Sequence, residues 1–520
     1  MFKSIRIRAS LGALGLVGCA TVDPKPDYDR AALHMESATG QQVSVAPEDD
    51  AGAVVEELLR DGLTSDEAVK VCLLNNPTLA ASYLRIGVAR ANVVQSGLFA
   101  NPGFGLSTRF PDGGGLVNLE VSLSQNIADL WRIPHRKRAA ERDMDRTILT
   151  VAREASIAAL ETRKAYLRAV QADRAWDIAR ENVTIAQQFV DMTAARRQAG
   201  SGTEVETNLA RAERVSLDVD ARRAQAARIE ARTKLAEWMG VATPPHELFL
   251  VDPLPDAVDP SCAAEDLIRL AGAHRLDLRA ADELVRAAEA RWQAERANVW
   301  KNVEIGVSME RSERGPRGDR DWLAETSYAS LQGGQLTPPS LQPREDQSSD
   351  YVTGPTLSAE IPLFDQNQAA IARAHVEWLQ ARRLQDALRL AVAQESWRTT
   401  AQVRATFDNA RFTRDELLPL REEGLSLARE AYRLGSGTVL TVLEAQRSLL
   451  SARATHIEAL VAANEARLEL ERIAGRPLPA TCALPPDRAG ETPTSTRKEF
   501  TSAATSDDET VKPMRREPNP

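Results

Sequence analysis

The residues of this chain best equipped for chemistry are its six histidines and four cysteines, together with a large stock of carboxylates. Their spacing argues against a metal centre or an acid–base site. His34, His135, His246, His274, His375 and His456 fall on different stretches, and no two stand at the helical spacing of metal ligands. No Cys-x-x-Cys, His-Glu-x-x-His, Gly-x-Ser-x-Gly or P-loop sequence occurs. The carboxylates alternate with arginines, as in Arg211-Ala212-Glu213 and Glu465-Ala466-Arg467. Such pairs belong to solvated helix faces and contribute roughly a few tenths of a kcal/mol each. The sequence therefore predicts no enzyme, no cofactor and no metal site.

Cys19 has a different chemistry. Lys3, Arg6 and Arg8 precede the apolar stretch Leu11–Val17, which is too short to span a bilayer. The stretch ends in Leu16-Val17-Gly18-Cys19, which resembles a bacterial lipobox. That implies removal of residues 1–18 and lipidation of the Cys19 thiol and its new amino group. Ala20, not Asp, follows, which favours the outer membrane over the inner. An ordinary secretory signal is the alternative. Of the other cysteines, Cys262 and Cys482 lie in Pro-rich segments after each helical stretch and are the favoured pair for a disulfide in an exported chain. Connectivity itself cannot be read from spacing.

The elements around these residues are duplicated. Gly200-Ser201-Gly202-Thr203 recurs as Gly435-Ser436-Gly437-Thr438, and the same 235-residue shift carries Gly240 onto Gly475. From His135 to Thr243 there is no proline, and the glycines are Gly200, Gly202 and Gly240. This predicts a helix from about 133 to 199, a turn, and a second helix over 204–239. The later copy runs from about 368 to 434, with a bend expected at Pro419 and Gly424, and then over 439–474. In each turn Gly ends one helix and Ser or Thr caps the next. Helices of about 67 residues are roughly 100 Å long, and those of about 36 are roughly 54 Å. Two short helices end to end thus match one long one, and both Gly-Ser-Gly-Thr turns fall at one tip. Upstream, helices are expected over about 64–99, capped by Thr64 and perturbed early at Asn76-Pro77, and over about 263–299. Residues 19–62 and 241–262 read as linkers, and the tail 476–520 as polar with little to bury.

Ahead of each long helix stands a pair of strands, about 103–110 with 116–125, and 302–310 with 354–364. A long loop, 311–353, separates the second pair. The strands alternate: Val117, Leu119, Val121 and Leu123 against Asn118, Glu120, Ser122 and Ser124; Val303, Ile305, Val307 and Met309 against Glu304, Gly306, Ser308 and Glu310. Apolar-out, polar-in segments of this length suit a transmembrane barrel, whose backbone groups must all pair internally. Four strands per chain need several copies, and three would give twelve. The competing explanation is a soluble sheet with one face on a core. A net charge of −9 excludes a basic nucleic-acid footprint. The fold class expected is mainly α with a small β part: a duplicated helix–strand–strand–long helix–helix repeat over 63–240 and 263–475.

This arrangement resembles the outer membrane efflux protein family of TolC-like ducts, over about residues 63–476. The residues that carry the resemblance are Thr64–Val69, Asn75–Leu79, Val121–Gln125, Ile361–Asp365, and Ala431–Thr438 leading to Val442–Gln446. It implies a homotrimer: an α-barrel tunnel in the periplasm, continuous with a 12-stranded outer-membrane β-barrel, docking onto an adaptor (membrane fusion) protein and an inner-membrane pump. Carried over by position, the periplasmic entrance falls at the two glycine turns, Gly200–Thr203 and Gly435–Thr438, which become the adaptor-docking tips. The acidic gate positions match Glu206, Thr441 and Glu444, with Thr441 departing from the acidic pattern. Tyr432 matches a tyrosine that helps hold the entrance closed. Gly437 stands where a basic partner would be, so no ionic latch is assigned. The implied function is the exit duct of a tripartite RND-type efflux pump for small toxic solutes or metal cations. The alternatives are a lipid-anchored periplasmic coiled-coil scaffold or adaptor, and the exit duct of a type I protein secretion system. Ile361–Gln368 looks somewhat like members that serve heavy-metal pumps.

Overall fold

The structure is a computed structural model that describes residues 21–44, 52–110, 117–259, 262–314, 328, 330–334 and 348–478. Cys19 and Cys482 lie outside the described residues; Cys262 is disulfide-bonded. Cys72 is free and buried, and burial pushes its thiol up to about 11.

The duplicated frame has one long helix per repeat. In the first, β1 (Gly103–Arg109) and β2 (Asn118–Asn126) lead into α5 (Asp129–Gln198) and α6 (Glu204–Met239). At 70 residues, α5 is about 105 Å long. Pro134 is its one proline, near the start, where its missing N–H does least harm. Its buried stripe, Ile148, Val151, Ala152, Ala155, Ala159, Thr162, Tyr166 and Ala169, follows the spacing of a single helix face. Tyr166 donates its hydroxyl to the Leu63 carbonyl at 2.8 Å, so the buried phenol is satisfied. In the second repeat, β3 (Val303–Arg314) and β4 (Ser348–Ala359) lead into α9 (Gln368–Phe412), a π-helical turn (Thr413–Leu417), α10 (Leu418–Arg433) and α11 (Val439–Ala474). The bend expected at Pro419 and Gly424 is a widened turn just before Pro419. Proline has no N–H to give the preceding turn and its ring crowds the carbonyl four residues back, which an extra residue per turn relieves.

Three expectations change. The presumed linker 19–62 carries two helices, α1 (Lys25–Thr39) and α2 (Gly52–Arg60). Pro24 and Pro26 suit a helix start, and Tyr28, Ala31 and Met35 form a buried face. The helices expected over 64–99 and 263–299 are each broken: α3 (Ser65–Asn75) and α4 (Pro77–Ser96) meet at Asn76, and α7 (Ala264–His274) and α8 (Leu276–Ala297) meet at Arg275. Asn76 accepts from the Thr78 and Leu79 amides, capping α4. Finally, β4 begins at Ser348 and ends at Ala359, so the strand expected over 354–364 is displaced and the insert 311–353 is shorter. Pairing with β3 continues from Val303↔Ala359 to Arg314↔Ser348. Past Ala359, Pro362 cannot donate to a ladder and Leu363 N turns back to Ile361 O.

The breaks are where the repeat ends pack. Gly240 ends α6 at φ +69°, with its Cα facing the Asn75–Pro77 break; Gly475 ends α11 at φ +75° against Arg275. A Cβ on Gly240 would lie 2.8 Å from the Asn75 carbonyl oxygen, and one on Gly475 would lie 2.8 Å from Arg275 Cα. Each repeat therefore closes by a left-handed glycine pressed into a helix break.

The strands form one antiparallel sheet in the order β1-β2-β3-β4. Register aligns Leu106, Val121, Met309 and Thr353 in one row, and Phe104, Leu123, Val307 and Pro355 in the next on the same face. The opposite face is small and polar, with rows Gly105, Ser122, Ser308, Gly354 and Gly103, Ser124, Gly306, Thr356. No core lies beneath the apolar face: Phe104 is 70% and Leu357 74% exposed. The soluble-sheet explanation needs that face covered, and it is not.

Gly200→Ala should cost about 1 kcal/mol, from the left-handed backbone alone, since nothing lies within 4 Å of its Cβ position. Gly240→Ala should lower the melting temperature clearly further. Equal drops for the two variants would show that the break is not tightly packed.

Candidate functional site

The two glycine turns form the end of the helical frame distant from the sheet. Ser201 N donates to Arg196 O and Gly200 N to Arg197 O, both at 3.0 Å; in the copy, Ser436 N donates to Ala431 O at 3.0 Å and Gly435 N to Tyr432 O at 3.1 Å. These bonds satisfy the last carbonyls of α5 and α10. Gly200 and Gly435 have φ of +77° and +79°. Gly202 and Gly437 are needed for proximity instead: a Cβ there would lie 3.0 Å from Arg197 N and 2.9 Å from Tyr432 N.

Glu206 has a local role. Thr203 Oγ1 accepts from Glu206 N at 3.2 Å and Thr203 N donates to Glu206 Oε2 at 3.0 Å, a reciprocal cap on α6. Its counterpart by the 235-residue shift is Thr441, whose amide donates to Thr438 Oγ1 at 3.3 Å and whose hydroxyl pairs with Thr438 Oγ1 at 2.9 Å. Both residues occupy the third position of a capped helix, so a hydroxyl in place of the carboxylate keeps half of the cap. Glu444 is exposed one turn further on.

Tyr432 is the most confined of the sequence-predicted residues at 4% exposure. It packs with Leu425, Val439, Val442 and Leu443. Its ring lies 5.9 Å from that of Phe189 on α5, and the Arg196 guanidinium sits 4.4 Å over its face. Arg196 also reaches the Tyr432 carbonyl oxygen at 3.5 Å. The tyrosine therefore joins the tip of one repeat to the tip of the other by stacking and a cation–π contact. The phenolic oxygen has no hydrogen-bond partner among the described residues. Along the same seam, Arg447 on α11 grips Glu213 on α6 with Nε at 3.0 and 3.1 Å from the two carboxylate oxygens. Arg196, Phe189 and the Glu213–Arg447 pair were not singled out from sequence. The shift places Tyr432 over Arg197, which hinted at unlike chemistry on the two tips but not at which arginine would meet the ring.

The outer surface of the tip is apolar as well as polar. Val205 and Leu440, equivalent under the shift, are 67% and 63% exposed. No cluster of His, Cys, Asp and Glu able to hold a metal occurs among the described residues.

The model of the family described as "Outer membrane efflux protein" matches residues 68–241 and 267–476. The chain belongs to the outer membrane efflux protein family. Its folds are transport channels, and the helical frame with a small sheet matches solved members. CusC, described in a study of folding and transmembrane channel formation, is 17% identical with a TM-score of 0.60, over 83% of this chain and 95% of that one. The outer membrane protein VceC of Vibrio cholerae is 16% identical with a TM-score of 0.58, over 79% and 96%. The open-state MtrE channel of Neisseria gonorrhoeae is 19% identical with a TM-score of 0.56, over 80% and 90%. Among curated proteins no sequence matches significantly.

Removing the Tyr432 hydroxyl should be harmless, because nothing is bonded to it: Tyr432→Phe should keep wild-type thermal stability. Tyr432→Ala should cost about 3 kcal/mol, and Arg196→Ala about 1 kcal/mol. A large loss in Tyr432→Phe would reveal a partner for that hydroxyl.

Proposed function

We propose that this chain is the exit duct of a tripartite efflux pump of the RND type, working as a homotrimer. The observation that carries the reading is the sheet. Its apolar face is uncovered and both outer strands, β1 and β4, have an unpaired edge. A lone sheet of this kind would expose backbone groups and a lipid-like surface to water. Three copies, with β4 of each beside β1 of the next, make a closed 12-stranded barrel that removes every edge. The apolar rows then face lipid and the Gly, Ser and Glu rows line a wet lumen.

The N-terminal segment fits a lipid anchor. Asp27 on α1 accepts from Arg90 Nε at 2.6 Å, and Arg90 lies one and a half turns before the sheet-proximal end of α4, about 9 Å. The residues from Cys19 to Lys25 can extend about 20 Å, enough to reach a bilayer surface around the sheet. Acylation at Cys19 would hold the duct in the outer membrane while the helices project into the periplasm.

At the far end, the exposed turns Gly200–Thr203 and Gly435–Thr438, flanked by Val205 and Leu440, form the docking surface for a periplasmic adaptor. The pump in the inner membrane supplies the energy. The gate works through the Arg196–Tyr432 contact, since separating the two tips requires breaking it. Glu444 is the carboxylate left free to make an anionic ring. Glu206 contributes to that ring while capping α6. The cargo is a small toxic solute or metal cation.

Val121→Arg, on the apolar face, should cost about 2–4 kcal/mol per copy in lipid and abolish trimer assembly. Glu120→Lys, on the opposite face, should assemble normally and shift conductance in planar bilayers toward anions. Assembly of both variants alike, or a monomeric protein without conductance, would refute the duct. Disulfides between neighbouring tips should block efflux without blocking assembly.

A further inference from the structure

Every crossing between helix and strand lies at the same end of the sheet, and each carries an exposed aromatic: Phe99 before β1, Trp131 after β2, Trp300 before β3 and Phe364 after β4. The first three crossings take six, two and five residues. The fourth is the longest: between Ala359 and Gln368 the chain makes an eight-residue excursion, Glu360-Ile361-Pro362-Leu363-Phe364-Asp365-Gln366-Asn367. Its counterpart after β2 passes into α5 within three residues.

The excursion is held in place. Glu360 N donates to Asn302 O at 3.0 Å, and Asn302 Nδ2 donates to the Glu360 carboxylate at 2.9 Å. Lys301 Nζ lies 2.6 Å from Asp365 Oδ2. Asn367 adopts φ +62°, the one non-glycine residue in the left-handed region among the described residues. Its side-chain amide donates to Glu295 O at 2.8 Å and Glu295 Oε2 at 2.7 Å. All of these tethers run to α8 and to the short connection between α8 and β3 of the same chain. The charged groups of the excursion are thus paired within the chain, although Glu360 and Asp365 themselves stay exposed. The unpaired part of the exposed surface is apolar: Ile361 and Leu363 are exposed, and Phe364 is 91% exposed. Ile361 and Leu363 also continue the odd-numbered alternation of Leu357 and Ala359, the apolar face of β4.

We infer that Ile361-Pro362-Leu363-Phe364 is a lipid-inserting wedge, seated among phospholipid acyl chains just below the headgroups of the leaflet nearest the helices. The inference rests on the barrel reading above, since the wedge extends the same lipid-facing surface past the end of the strand. Aromatic side chains favour that depth because their rings sit at the boundary between headgroup and hydrocarbon. A fixed backbone conformation, held by the Asn367 and Asp365 contacts, lowers the entropy lost on insertion. The other three aromatics complete a band at the same level, so the wedge sets how deep the sheet sits. A second copy of the chain is the competing occupant. It is disfavoured because the tethers draw the loop toward its own α8 and the connection before β3 rather than across the open edge of β4.

The test is site-directed spin labelling of the full chain in vesicles of phosphatidylethanolamine and phosphatidylglycerol. Labels are placed by Phe364→Cys and, separately, Leu363→Cys, with Val307→Cys in the sheet and Val205→Cys at the tip as references. The unsubstituted protein, labelled in parallel, gives the background. Collision with oxygen reports lipid, and collision with a water-soluble nickel chelate reports water. The expected result is an oxygen-to-nickel ratio at 363 and 364 close to that at 307 and several-fold above that at 205. A water-like ratio at 363 and 364 with a lipid-like one at 307 would overturn the wedge and leave the barrel standing. Exclusion of both reagents at 363 and 364 would also overturn it, by placing a second copy there. A water-like ratio at 307 would remove the barrel and the wedge together.

Discussion

The constraint on which the structure turns is the pairing of backbone groups at the edges of a four-stranded sheet. β1 and β4 are the outer strands of that sheet, and each has no neighbouring strand on its outer side among the described residues. In water such edges promote aggregation, and in lipid they are costlier, because nothing in the hydrocarbon can hydrogen-bond to them. The register offers no internal solution, since each neighbouring pair is already antiparallel and in phase from β1 to β4. In the duct proposed above, further copies of the chain complete it. The uncovered apolar face and the small polar face then acquire their meanings together, as outside and inside of one wall.

The helical frame answers a related difficulty. A helix of 70 residues cannot be buried in a single globule, so its stability must come from neighbours along its whole length. The duplication supplies them, with α5 packed along α6, α8 and α4. The joints are left-handed glycines pressed into helix breaks at Asn75–Pro77 and at Arg275. The buried network of Arg275, Asp277, Glu395 and Arg472 then ties the second break to α9 and α11. The glycine tips are a second place where the two repeats meet. There they are held by a buried tyrosine, one arginine and one aromatic neighbour.

Much of this could be read from the chain itself. The long helices followed from the missing prolines and glycines between His135 and Thr243, and the caps from Thr203 and Thr438. The duplication was visible as a fixed shift. What sequence misjudged was local competition with tertiary packing. Residues 25–39 read as a Pro-rich linker, yet Tyr28, Ala31 and Met35 find a buried groove and the segment becomes helical. Strand β4 was placed too late, because Ile361 and Leu363 keep the alternation of a strand after the ladder has ended at Ala359. The role of Glu206 as a cap was half visible, since Thr203 and Glu206 stand at capping-box spacing.

The sequence by itself determined the long helices, the repeat and the side of each strand that is apolar, because these depend on residue order over a few turns or a few strand positions. The tertiary structure decided that no core covers the apolar face, that Arg196 rather than a neighbour of Gly437 meets Tyr432, and that Phe364 stands free of its own chain. These depend on which distant segments come within a few ångströms of one another. Helix register and crossing geometry set such distances, and a one-dimensional pattern does not encode them.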